Sequence, residues 1–135
     1  CTSILPPATL SVFKSKASAG FALQKDFAAR MKAIASPLVA FEDLGGILCQ
    51  WAYSGATNTV NYGFSAIPDA DAKTQRASLA AEGYTESTGP DGGILVTNPD
   101  TANFPDTYLF ANGYWFYASD ADVLTVITQN LFENG

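Results

Sequence analysis

Gly45-Gly46-Ile47-Leu48-Cys49-Gln50-Trp51-Ala52-Tyr53, followed after a five-residue gap by Thr59-Val60-Asn61-Tyr62-Gly63-Phe64-Ser65-Ala66-Ile67, is the stretch from which the fold can be read. Upstream of the glycine pair, apolar residues recur every three or four positions; downstream of it they alternate. Ile47, Cys49, Trp51 and Tyr53 point one way and Leu48, Gln50 and Ala52 the other, and Val60, Tyr62, Phe64 and Ala66 repeat the pattern. Side chains that alternate are those of strands, because successive residues of an extended chain face opposite sides. Residues 54–58 read as the turn that makes the two strands a hairpin.

Working outward, Pro6-Pro7 presets a helix start, with Leu10 and Phe13 as its apolar face. Residues 21–36 read as a second helix: Leu23, Phe27, Met31 and Ile34 recur at helical spacing, Asp26 and Arg30 are placed as an i, i+4 ion pair, and Pro37 stops the run. After the hairpin, Pro68-Asp69 opens a polar, Ala-rich third helix that Gly83 caps. Residues 84–88 and 94–98 flank the turn cluster Gly89-Pro90-Asp91-Gly92-Gly93, and residues 107–110 and 114–118 flank Ala111-Asn112-Gly113. Asn-Gly between apolar runs is the strongest short signal for a hairpin. Ser119 with Asp122 forms a helix-capping pattern, and Val123, Leu124, Ile127 and Leu131 continue as a closing amphipathic helix. The expectation is an α+β fold: one twisted antiparallel sheet of about six strands with helices packed mainly on one face.

A chain of 135 residues that is 47% hydrophobic and 15% charged has the size and composition of a single folded domain, here spanning residues 1–135. Its apolar runs are too short for a transmembrane segment. Residues 1–76 hold all seven basic residues against five acids, and residues 77–135 hold eight acids and no base. With a net charge of −6, a nucleic-acid partner is not expected, because such binding depends on Lys and Arg neutralising phosphates. A solvated acidic surface is the plain reading of the C-terminal half; attraction of a basic partner is the sharper one.

The two cysteines are Cys1 and Cys49. One account makes Cys1 the lipid-modified first residue of a lipoprotein, but the polar tether usual after such a residue does not follow. The favoured account pairs Cys1 with Cys49 in a disulfide, as two cysteines in an exported chain commonly are, with lipidation and free thiols as the alternatives. Cys1 with Leu5-Pro6-Pro7 and Val12-Phe13, and then Gly45-Gly46-Ile47-Leu48-Cys49-Gln50-Trp51, resembles a pattern of exported lipoproteins and envelope proteins of actinobacteria, many of them domains of unknown function. The resemblance spans about the first 55 residues. It implies an extracytoplasmic α+β domain, a Cys1–Cys49 disulfide and attachment to the cell envelope, and it carries no catalytic residues.

The chain has no histidine. The usual general base near neutral pH is therefore missing, with Ser-His-Asp, Cys-His and His-based zinc sites. Asp69-Ala70-Asp71 and Asp120-Ala121-Asp122 lack the rest of a calcium loop, so no metal or other cofactor is expected. Glu42, Asp43, Asp106 and Asp120 are the carboxylates available for glycoside chemistry, but they fall in turn and cap contexts. Ser11-Val12-Phe13-Lys14 is a weak Ser-x-x-Lys match on a short helix. The feature with functional colour is aromatic. If one sheet face is open, Trp51, Tyr62, Tyr114 and Trp115 would offer flat amphipathic platforms. The expected function is a noncatalytic extracytoplasmic domain that binds a partner protein or ligand at the cell envelope, with a carbohydrate- or lipid-binding module as the alternative.

Overall fold

A computed structural model of the chain describes residues 5, 7–16, 20–34, 37–53, 59–89, 92–98, 106–119 and 123–128. The fold is α+β, built on one open antiparallel sheet of seven strands. In chain order these are β1 (Phe21–Leu23), β2 (Ile47–Tyr53), β3 (Thr59–Ala66), β4 (Thr85–Thr88), β5 (Ile94–Thr97), β6 (Thr107–Ala111) and β7 (Tyr114–Ala118). Their order across the sheet is β1-β2-β3-β7-β6-β5-β4. The helices are α1 (Pro7–Ser15), α2 (Phe27–Ala33), α3 (Ala40–Asp43) after a 3-10 turn at Pro37–Val39, α4 (Asp69–Ala81), and α5 over residues 123–128.

The three anticipated hairpins are formed. Cys49 lies opposite Tyr62 and Trp51 opposite Val60 in β2–β3. The β6–β7 turn places Asn112 and Gly113 at φ of 56° and 80°, the left-handed conformation that a two-residue hairpin turn requires. One pairing joins the halves: β3 lies against β7, with Phe64 opposite Phe116 and Ser65 opposite Trp115.

Two expectations are corrected. Residues 21–36 are not one helix. Phe21 and Leu23 form a short edge strand opposite Tyr53 and Trp51, which makes the seventh strand, and the helix begins only at Phe27. The three-residue backbone run satisfies the free edge of β2, and the helical spacing of Leu23 to Phe27 is coincidental. Ile34, the last residue of that helical spacing, caps the end of α2 and is 69% exposed. The Asp26–Arg30 ion pair is present at 3.3 Å.

The second correction concerns layers: the helices cover both faces of the sheet. One core gathers Cys49, Trp51, Tyr62, Leu109 and Phe116 beneath Phe13 of α1 and Leu124 and Ile127 of α5. The other gathers Leu48, Tyr108, Phe110, Trp115 and Tyr117 beneath Phe27 of α2, Phe41 of α3 and Leu79 of α4. The cause lies in β7, where Trp115 and Tyr117 face one way and Phe116 and Ala118 the other. A strand apolar on both sides needs cover on both.

Two strand-side glycines permit close approaches. A Cβ at Gly63 would lie 3.1 Å from the Phe41 ring, and one at Gly46 would lie 2.0 Å from the carbonyl oxygen of Phe64. Cys1, the turn at 54–58 and the capping pair at Asp122 fall outside the described residues.

Candidate functional site

The four aromatic residues proposed as a binding face do not form one. Trp51, Tyr62 and Tyr114 lie on the α1–α5 side of the sheet, and Trp115 lies on the other. Tyr62 and Trp115 are 0% and 1% exposed and Trp51 is 5% exposed, which leaves only Tyr114, at 39%, open to solvent. Each buried polar edge is satisfied internally. The Trp51 indole N–H donates to the Tyr62 hydroxyl at 2.8 Å, and that of Trp115 donates to the Ser65 hydroxyl at 2.6 Å. Phe41 stacks on Trp115 with ring centroids 4.0 Å apart. Burial pushes the Tyr62 phenol up to about 12, against a smaller opposing effect of the Trp51 hydrogen bond. These rings are core; Tyr114 stacks on Phe64 at the rim.

A polar feature crosses the α2 side of the sheet instead. Arg30, on α2, donates from Nη2 to Gln50 Oε1 at 2.6 Å. Gln50, on β2, donates from Nε2 to Asn61 Oδ1 at 3.0 Å on β3. The Asn61 side chain is hydrogen-bonded in turn to the Tyr117 phenol on β7. Tyr117 donates to Asp106 Oδ1 at 3.2 Å, just before β6. The cross-strand register produces the line, because Gln50 lies directly opposite Asn61. Asn61 is also held through its backbone N–H, which donates to Ser119 Oγ at 2.9 Å. Burial holds the Asp106 carboxyl above its ordinary range, opposed by the Tyr117 hydrogen bond. Burial, and then the charge of Asp106, holds the Tyr117 phenol above its own.

The cationic end of this line opens on a shallow, solvent-open cavity of about 340 Å³ lined by Gln24, Asp26, Arg30, Gln50, Ala52, Tyr53 and Thr59. Gln24 is fixed there by donating from Nε2 to the carbonyls of Ala22 and Ala52 at 3.0 and 3.3 Å. Arg30 is braced by Asp26 on one side and Gln50 on the other, over the Phe27 ring at 5.6 Å. Gln50 is 8% exposed, a buried amide whose hydrogen-bonding groups are engaged and whose position is therefore set.

The other hollows are different in kind. One of about 490 Å³ runs between α2 and α3, with Lys25 and Lys32 facing Glu42 and Asp43. A small one of about 140 Å³, between β5–β6 and α5, is lined by Leu95, Leu109 and Leu124 with four threonines. A third, of about 180 Å³, lies between α4 and the β6–β7 turn. The carboxylates considered for glycoside chemistry are not brought together as a pair: Glu42 and Asp43 are exposed neighbours on α3, Asp106 is tied to Tyr117, and Asp120 lies outside the described residues. Among the described residues no group of three His, Cys, Asp or Glu side chains is placed to hold a metal ion.

The sequence reading passed over Gln50 and Asn61. The signal was present: both are polar at positions that the alternation directs inward, Gln50 between Leu48 and Ala52. A buried amide at such a place needs partners. No protein-family model, curated protein or solved structure matches the chain.

Proposed function

We propose that this chain is a noncatalytic binding domain that works outside the cytoplasm at the cell envelope, holding its ligand or partner at the cavity where Arg30 meets Gln50. One observation carries the reading: a polar hollow of about 340 Å³ whose guanidinium is held in place by a buried amide. That volume falls at the lower end of the ~300–1,000 Å³ usual for small-molecule sites. The buried polar side chains of the sheet are spent on one another. Tyr117 donates to Asp106, Trp51 to Tyr62 and Trp115 to Ser65. A general acid or base must be free to meet a substrate proton.

The envelope setting rests on the resemblance of residues 1–55 and on the two cysteines. Cys49 is buried and is not a free thiol, and in this reading Cys1 is its partner. The alternative, a carbohydrate- or lipid-binding module on an aromatic sheet face, loses its platform because both faces are covered. The hollow lined by Leu95, Leu109 and Leu124, of about 140 Å³, is well below the usual range for such a ligand.

The test is retention of the purified chain on isolated cell walls that keep their native proteins. Retention that Arg30→Ala weakens about tenfold is expected, since a hydrogen bond to a charged group is worth roughly 1.5–3 kcal/mol. No retention overturns the reading. So does turnover of a glycan, ester or peptide that a single Asp or Glu substitution abolishes.

A further inference from the structure

We propose that the Arg30–Gln50 cavity is a subsite for a neutral polyhydroxylated ligand, a sugar unit of a glycan; this rests on the chain being an envelope binding domain. The electrostatics come first. The cavity wall carries one guanidinium and one carboxylate, Arg30 and Asp26, 3.3 Å apart. An anion drawn to Arg30 meets Asp26, and a cation drawn to Asp26 meets Arg30, so the site selects for a ligand without net charge.

The hydrogen-bonding groups left over are of both kinds. Gln24 spends its amide nitrogen on two backbone carbonyls, which leaves its oxygen as an acceptor. Asp26 engages Arg30 through Oδ2, which leaves Oδ1. Arg30 spends Nε and Nη2 on Asp26 and Gln50, which leaves Nη1 as a donor. Thr59 adds a hydroxyl, able to do either. A ligand that satisfies donors and acceptors interleaved in one small hollow must itself donate and accept from neighbouring atoms. A ring bearing adjacent hydroxyls does so.

The site is also set before the ligand arrives. Gln50 cannot turn its oxygen away from Arg30 without breaking its own bond to Asn61, so the guanidinium is oriented from beneath. Groups already ordered lose little entropy on binding.

The experiment is an amide NMR titration of the full labelled chain with four probes: chitotriose, maltotriose, citrate and spermidine. Either trisaccharide, at millimolar concentration, is expected to shift the amides of Gln24, Arg30, Gln50 and Thr59, with the charged probes silent there. Arg30→Ala and Gln24→Ala are expected to weaken binding about tenfold and about threefold with the fold retained, the ligand-free spectrum of Arg30→Ala changing at Gln50, Asn61 and their neighbours, which lose its hydrogen bond, and not elsewhere. Shifts with citrate or spermidine alone overturn the ligand class and leave the binding reading standing. Silence from all four, with retention on cell walls insensitive to Arg30→Ala, overturns the subsite. Protease-stripped cell walls separate the two further: retention lost on stripping identifies a protein partner and overturns the glycan, whereas no retention on intact walls is the failure of the binding reading itself.

Discussion

Arg30 and Asp106 terminate one line of hydrogen bonds in which the donors run from the cation toward the anion. Arg30 gives to Gln50, Gln50 to Asn61, and Tyr117 to Asp106, with the Asn61–Tyr117 contact between them. A hydrogen bond from a cation makes the acceptor's own N–H a better donor, so the Arg30 end strengthens the bond that Gln50 gives to Asn61. The two charges orient the amides of Gln50 and Asn61 as a pair.

Asp106 gives the line a pH dependence. Burial raises its carboxyl above the unfolded value, so the fold tolerates the ionised form less well than the unfolded chain does. Above the raised value this costs stability; as pH falls through it toward the ordinary value of 3.8 the cost disappears. Asp106→Asn, which still accepts from Tyr117, is expected to raise the melting temperature at pH 7 by a few degrees and to give no gain near pH 3. Melting curves of both proteins across that range check it, and a lower melting temperature at pH 7 contradicts it.

Trp115 is a stability residue. Trp115→Ala removes the ring stacked on Phe41 and leaves the Ser65 hydroxyl without its donor, an expected loss of about 3–5 kcal/mol. Trp115→Phe keeps a ring but not the N–H, and about 1–3 kcal/mol is expected. Urea unfolding of the two variants measures both, and a near-neutral Trp115→Ala sinks the assignment.

Gly46→Ala is expected to cost more than 3 kcal/mol or to prevent folding. The added methyl falls 2.0 Å from a backbone carbonyl and 2.4 Å from Ser65 Cβ, and neither belongs to a flexible side-chain end. Gly45→Ala is the companion: its φ of 85° imposes backbone strain of about 1 kcal/mol with no clash. Comparable losses at the two positions, by urea unfolding, contradict the difference.

The proposed Cys1–Cys49 disulfide closes a loop worth about 4 kcal/mol on the chain-entropy model. Thiol titration of the unfolded, unreduced chain is expected to find no free thiol, and reduction to lower the melting temperature. Two titratable thiols refute the pairing.

The fold was legible where a local signal and a tertiary need coincide. Ile47 to Tyr53 is nearly continuously apolar because the strand packs on both sides, and Asn112-Gly113 turns because only such residues adopt positive φ cheaply. Phe21 to Leu23 was illegible because three residues carry no period, and their partner at Trp51 and Tyr53 is remote in sequence. The aromatic site misled for a related reason: alternation shows that Trp115 and Phe116 face apart, but not that helices wait on both sides. The polar line depends on Gln50 meeting Asn61 across a register that only the paired strands define.

The joint between β3 and β7 sets a timetable for folding. The β3 edge at Gly63, Phe64 and Ser65 acquires its sheet partner only when Trp115, Phe116 and Tyr117 have been made, some fifty residues later. Until then an apolar strand edge is open to any other chain, the condition under which sheets join wrongly. The hairpins on either side can close early and locally, but the union of the two halves is a late, long-range event. A chain cut short before β7 is therefore the form most prone to aggregate, and holding β3 apart until synthesis is complete is the service a chaperone would render it.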